Sequence, residues 1–587
     1  MMRPRRSGGW RRRIIGMVVA AAVLGGLAGA PVPSAEAIGA AHYPIAGVGS
    51  SWSANALQQW VRNVWDNYKW KVTYDDSGSS AGRQQFGQQN GGKDFAVSEI
   101  PYALTNSDIV DPRPARKFAY MPIVAGGTAL MYNLVIGGKK VTNLRLSGEV
   151  LARIFTGDIL RWDDAAVAAD NPSLALPAVP IIPVVRSDGS GTTAQFTSWM
   201  FTEHAATWQA YCAKLGKSNC GITSNYPVAT GSPFIARSGS NSVAAYVAQT
   251  HAQGSITYVE YSYALNARFP VAKILNSAGF YNEPTASNVA VALMGATINE
   301  DAASPDYLTQ QLDGVYRNAD ARSYPLSSYS YMIVPTALEY GFTEDKGLTL
   351  ADFTNYFLCE GQQQAEVLGY SPLPINLVQA GLNQVKKIPG GDPTNKDIAQ
   401  CNNPTFSPDG SNKLAATAPQ PQACDKIGPA QCATGTGGSK DTATAVSGPG
   451  GAAAAAATAT GATQADGTTA GTAGATSTAD ASGAASGGLD AIAGESTVAA
   501  TVVAGIPVQL AANPAVTLSG IATVLASTLA LVMILAPPFI SRSRRLVGVR
   551  GPRRGLRRGR VRSRMPRIHL SLRGRPRSSD SPVTDGS

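Results

Sequence analysis

Between Ala433 and Gly494 the sequence is almost wholly Ala, Gly, Thr and Ser. Such a stretch holds too little apolar surface to offset the entropy of ordering it, so it predicts a flexible tether and not a domain. Whatever folds must therefore be built from the residues before it. Those residues have the material, since 44% of the 587-residue chain is hydrophobic and only 15% charged. As a coil of about 60 residues the tether would average roughly 45 Å end to end and reach about 200 Å when extended.

Charge divides the chain in the same way. Of the net +10, residues 1–37 supply +5 and residues 541–587 supply +13, which leaves −8 for everything between. An acidic middle excludes a basic nucleic-acid face, so the positive charge at the two ends has a different origin. At the first, Arg3 to Arg13 precede an apolar run from Ile14 to Ala30 and the small-x-small site Ala35-Glu36-Ala37. This predicts a secretory signal over residues 1–37, and Arg11-Arg12-Arg13 also loosely fits a twin-arginine route. At the second, no charged residue occurs from Ser496 to Ser541, and Arg542, Arg544 and Arg545 follow at once. An apolar segment here can cross about 30 Å of hydrocarbon, which predicts one transmembrane helix over 515–540. Positive residues stay inside, so the body is expected outside the cell and the Arg-rich tail, 541–587, in the cytoplasm. A wall-spanning tether suggests a Gram-positive bacterium.

Six cysteines suit an exported protein. Of fifteen possible connectivities the preferred one joins neighbours: Cys212 with Cys220, Cys359 with Cys401, and Cys424 with Cys432. No CxxC spacing occurs and the chain has four His, so no metal is expected.

The folded part is expected over 38–432, with residues 390–432 as a Cys-containing extension and a linker over 433–496. Its core alternates strand-like runs with helical patterns, an α/β arrangement. After Gly47-Val48-Gly49-Ser50-Ser51-Trp52, apolar residues recur at helical spacing as Leu57, Trp60, Val61, Val64 and Trp65. Val72-Thr73-Tyr74 runs into Ser77-Gly78-Ser79-Ser80-Ala81-Gly82, and Ile181 to Val185 into Arg186-Ser187-Asp188-Gly189-Ser190-Gly191-Thr192-Thr193. Three strand–turn–helix junctions thus carry the same Gly/Ser/Thr chemistry. At a helix start the first N–H groups are unpaired, hydroxyls add donors and glycine lets an anion approach, while Arg186 adds a charge-assisted contact. The same residues also serve simply as helix caps and turns. The spacing fits neither GxxxxGK[ST] nor GxGxxG, so a nucleotide is not expected.

The motifs GVGSS, DSGSSAG, DFAVSEIPY, IFTGDILRWDD, RSDGSGTTAQFTSW, GSITYVEYSYA, YMIVP and GYSPLP stand in one order over nearly the whole body. In this the chain resembles the phosphate-binding proteins that feed bacterial ABC importers. The resemblance implies a two-lobed, type II periplasmic-binding-protein fold with a ligand between lobes that close by a hinge. It places lobe one at about 42–125 and 290–389, and lobe two at about 126–289. The ligand contacts it implies fall on Ser51, Trp52, Ser79, Arg186, Ser190, Gly191 and Thr192, with Asp188 holding the arginine. Where the family has Asp after Ser in DFxxSD, this chain has Glu99. In the family that carboxylate accepts a hydrogen bond from the protonated oxygen of phosphate and repels fully ionised sulfate. Glu99 retains charge and acceptor but adds a methylene, and a slight rotation would turn it to solvent and relax the selectivity.

The expected function is therefore phosphate capture for an ABC importer permease, with no enzymatic activity, cofactor or nucleic-acid partner. A tethered phosphate sensor or surface module, uncoupled from transport, is the alternative. Trp162-Asp163-Asp164 reads as a turn in lobe two, and Tyr258, Tyr261 and Tyr263 as packing residues.

Overall fold

The computed structural model describes residues 42–444 apart from 91, 110, 393–397, 408 and 443. The signal, the span and the Arg-rich tail expected above, and the linker beyond 444, lie outside the described residues. Among the described residues no helix is long and apolar enough to cross a membrane.

The chain begins with strand β1 (Ile45–Gly49), helix α1 (Ala54–Tyr68), β2 (Val72–Asp75), α2 (Ser79–Gly87) and β3 (Phe95–Ser98). β1 lies between β2 and β3, parallel to both, as strand–helix–strand units require. Helix α1 buries Leu57, Trp60 and Val64 at helical spacing. Each such burial is worth about 1.5–3 kcal/mol. Trp65, which the spacing also assigns to this face, is instead half exposed.

The long strand β4 (Phe118–Tyr132) follows, then β5 (Ile182–Arg186), α3 (Gly191–Glu203), β6 (Ile235–Arg237), α4 (Gly239–Val247), β7 (Ser255–Glu260), β8 (Val271–Leu275), α5 (Ala286–Leu293) and β9 (Ser327–Pro335). β4 divides the fold into two lobes. From Phe118 to Gly127 it pairs antiparallel with β9, whose other edge joins β3. From Thr128 to Tyr132 it pairs with β7 instead, and β7, β5 and β6 continue as parallel neighbours. The switch falls directly after Gly126-Gly127, between Gly127 and Thr128. A Cβ on Gly126 would stand 2.7 Å from the Trp52 ring, and one on Gly127 2.4 Å from Pro284. The crossing strand is thus bare where the two lobes pack against it.

All three disulfides join the neighbours expected from the sequence. The Cys359–Cys401 bridge closes a 42-residue separation, for which loop entropy gives about 4 kcal/mol. Beyond it the extension packs first on lobe one, where Thr405 Oγ1 donates to the Leu373 carbonyl at 2.7 Å, and then on lobe two. Buried Arg145 donates to the carbonyls of Cys424 and Ala430, and Lys273 pairs with Asp425 at 2.7 Å.

The start of the expected linker needs correction, because packing does not stop at 432. Thr436 Oγ1 donates to the Thr142 carbonyl at 3.0 Å and accepts from Val271 N at 3.1 Å. Thr444 Oγ1 donates to Asn143 Oδ1 at 2.8 Å. Residues low in apolar surface are held here by hydroxyls that satisfy the edge of β8 and the segment before it, a contribution that composition does not register.

Candidate functional site

The C-terminal ends of β1, β2 and β3 in lobe one face those of β5 and β6 in lobe two. In parallel α/β sheets this is where loops and helix N-termini converge. All eight predicted ligand residues lie here, buried.

The Ser50-Ser51-Trp52 turn after β1 is clamped from behind. Tyr74, Tyr263 and Tyr370 donate their hydroxyls to the carbonyls of Ser50, Ser51 and Trp52 at 2.7, 2.5 and 2.7 Å. With three successive carbonyls occupied, the turn is fixed in one orientation. Burial pushes all three hydroxyls above the usual tyrosine value, so they remain donors at physiological pH. The Trp52 N–H itself bonds Ser50 Oγ at 2.9 Å, and its ring packs edge-on to Tyr370.

Across the cleft, Arg186 Nε donates to Asp188 Oδ1 at 2.7 Å, and Nη2 donates to Oδ2. Burial raises the Asp188 carboxyl, but the hydrogen bonds and charge of Arg186 outweigh it and leave the group below the usual carboxylate range. Its Oδ1 also accepts the Gly239 N–H at 2.8 Å. Two of the five guanidinium N–H groups are thereby spent on orientation. Ser190 caps α3, accepting from Thr193 N at 3.2 Å, so the capping role open from sequence is realised at this residue. Thr192 Oγ1 is buried with no hydrogen-bond partner among the described residues. Such a hydroxyl at the start of the helix that follows Arg186 suits an oxyanion.

Glu99 follows β3 and is fully buried, so the solvent-facing alternative does not hold. Its Oε2 accepts from Ser79 Oγ at 2.8 Å and its Oε1 from Ser330 Oγ at 2.9 Å. Ser79 Oγ also accepts the Gly191 N–H from the other lobe at 3.1 Å. A Cβ on Gly191 would fall 2.0 Å from Glu99 Oε2, so glycine is required where the carboxylate meets α3. Gln195 of α3 closes the same seam by donating to the Glu99 carbonyl at 2.7 Å.

Several participants escaped sequence reasoning. Ser330 sits mid-strand in β9, where nothing marks a hydroxyl as facing a carboxylate. Ser240 had a signal, since Ile235-Ala236-Arg237-Ser238-Gly239-Ser240 is a fourth strand–turn–helix junction of the same composition. Tyr258 and Tyr263 do more than pack. Tyr258 OH lies 2.8 Å from Thr193 Oγ1 and accepts the Arg186 N–H at 3.3 Å. Asp164 caps a short helix, accepting from Ala166 N, in keeping with its reading as a turn residue.

Behind the site, Glu260 is fully buried, with Oε2 accepting from Ser262 N at 2.8 Å and Oε1 without a partner among the described residues. Burial is the largest cause acting on it and pushes its carboxyl well above the usual value. The folded protein therefore holds this proton to higher pH than the unfolded chain. Its stabilisation is complete below the ordinary carboxylate range and is lost as pH rises through the folded value. Thermal unfolding at pH 5 and pH 8 checks this: wild type is expected to lose more stability over that interval than Glu260→Gln, which cannot ionise.

Two lobes joined by a shared strand, with hydroxyl, amide and guanidinium donors facing one buried carboxylate, define a binding protein of the α/β class. The comparisons agree. Residues 31–360 match the PBP superfamily domain, and the chain belongs to that family. The phosphate-binding protein PstS of Xylella fastidiosa is 32% identical over 340 residues, covering 57% of this chain and 83% of that protein. PstS of Methanocaldococcus jannaschii is 30% identical over 351 residues, covering 58% and 85%. PstS 2 of Mycobacterium tuberculosis is 30% identical over 334 residues, covering 56% and 82%.

Proposed function

We propose that this chain captures inorganic phosphate between its lobes outside the cell and delivers it to an ABC importer permease, held at the membrane by segment 515–540. The observation that carries the reading is that one cleft holds the buried Arg186, the Thr192 hydroxyl with no partner among the described residues, and the buried Glu99 carboxylate, which Ser79 links to the Gly191 N–H of the other lobe. Donors alone suit any oxyanion. A carboxylate among them suits one that still has a proton to give, which phosphate has near neutrality and sulfate lacks. The names of the relatives support the same ligand.

In this reading Ser51, Trp52 and Ser79 of lobe one and Arg186, Ser190, Gly191 and Thr192 of lobe two replace the water around phosphate, while Glu99 accepts a hydrogen bond from its protonated oxygen. Asp188 takes no ligand contact and aims Arg186. Because the contacts come from both lobes, phosphate binds the closed form better and shifts the population towards it. Calorimetric titration of the full-length chain with phosphate, arsenate and sulfate at pH 7 to 8 is the test. Binding of phosphate and arsenate with rejection of sulfate is expected. Absence of any phosphate heat overturns the reading.

A further inference from the structure

Arg186 and the Ser51 turn lie on opposite lobes, yet one buried side chain touches both. Ser240, at the start of α4, has its Oγ 2.8 Å from Ser51 Oγ and accepts from Arg186 Nη1 at 3.1 Å. Its own N–H donates to Ser51 Oγ at 3.1 Å. It is fully buried, so no water competes for these bonds. Asp188 reaches Arg186 through Nε and Nη2, and Ser240 takes the remaining nitrogen, Nη1. The next residue back, Gly239, donates to Asp188, so one turn fixes both the arginine and the carboxylate that aims it.

We propose that Ser240 is a positioning residue that couples closure of the lobes to the orientation of Arg186. Resting on the phosphate-binding reading, it makes Ser240 a latch. The Ser51–Ser240 contact forms only when the lobes meet, and the same hydroxyl then holds Nη1. The guanidinium is thereby presented to the ligand in one pose, held at all three nitrogens. Opening breaks the contact and loosens the arginine together with it. Such a residue acts on the lifetime of the closed complex more than on encounter, because the open form that meets the ligand lacks the interlobe bonds.

Full-length wild type, Ser240→Ala and Ser240→Thr are compared by stopped-flow binding and release of phosphate, with small-angle scattering for lobe closure and thermal unfolding for integrity. Ser240→Ala is expected to release phosphate about tenfold faster, the equivalent of about 1.4 kcal/mol, with its association rate within about twofold of wild type. Its scattering at saturating phosphate is expected to include a more open population, and Ser240→Thr, which retains the hydroxyl, to recover most of the release rate. Release by Ser240→Ala within about twofold of wild type overturns the proposal, as does an equal loss in Ser240→Thr. If wild type binds no phosphate, the functional reading fails separately. The latch then stands or falls on whether Ser240→Ala opens the lobes in scattering of the unliganded chain.

Discussion

Arg186→Ala is expected to weaken phosphate binding by about 3–5 kcal/mol, two to nearly four orders of magnitude, measured by calorimetry on the full-length chain. The loss exceeds that of a single hydrogen bond for a geometric reason. Arg186 is only 3% exposed and is bonded through Nε and Nη2 to Asp188, itself largely buried. Removing the cation deletes the ligand contact and also leaves the Asp188 carboxylate buried and unpaired beside an incoming anion. The second effect can be separated from the first. Arg186→Ala combined with Asp188→Ala should bind phosphate better than Arg186→Ala alone, because the stranded charge is gone. Equal affinities of the single and double variants would show that Asp188 contributes nothing to the deficit.

Glu99→Gln is expected to change selectivity more than affinity. The wild-type carboxylate is fully buried and accepts from Ser79 and Ser330, so its charge faces the ligand with little solvent screening. Placing it opposite an anion without a proton costs several kcal/mol. Glutamine keeps the carbonyl acceptor and removes the charge. Sulfate, which wild type is expected to reject, should then bind Glu99→Gln within about tenfold of phosphate in competition titrations. Continued rejection of sulfate by the variant would assign selectivity to cleft shape in place of the carboxylate. The added methylene of glutamate relative to aspartate is accommodated by the Ser79 and Ser330 hydroxyls, which hold one carboxylate oxygen each.

The residues that meet at the cleft were legible from their ordered motifs, which resemble those of phosphate-binding proteins. Ser51, Ser79, Arg186 and Gly191 stand in short motifs whose chemistry is local, because a glycine-bearing turn before a helix exposes N–H groups whatever surrounds it. Asp188 lies two residues from Arg186, close enough for a turn to bring the pair together. What escaped notice depended on register. Ser330 faces Glu99 because β9 pairs with β3 with Tyr331 opposite Ser98, and a one-residue slip would turn it to the other face. Ser240 meets Ser51 across 189 residues.

Composition and periodicity therefore determined the α/β class of this chain and its hydroxyl-rich turns at helix starts, while the ordered motifs pointed to the kind of ligand. Each depends on residues close along the chain. Tertiary structure decided the inward placement of Glu99, the three tyrosines on the first turn, the Ser240 bridge and the packing of the extension to residue 444. Each of these is set by tertiary packing that brings residues distant along the chain within hydrogen-bond reach, and no local pattern encodes such a meeting.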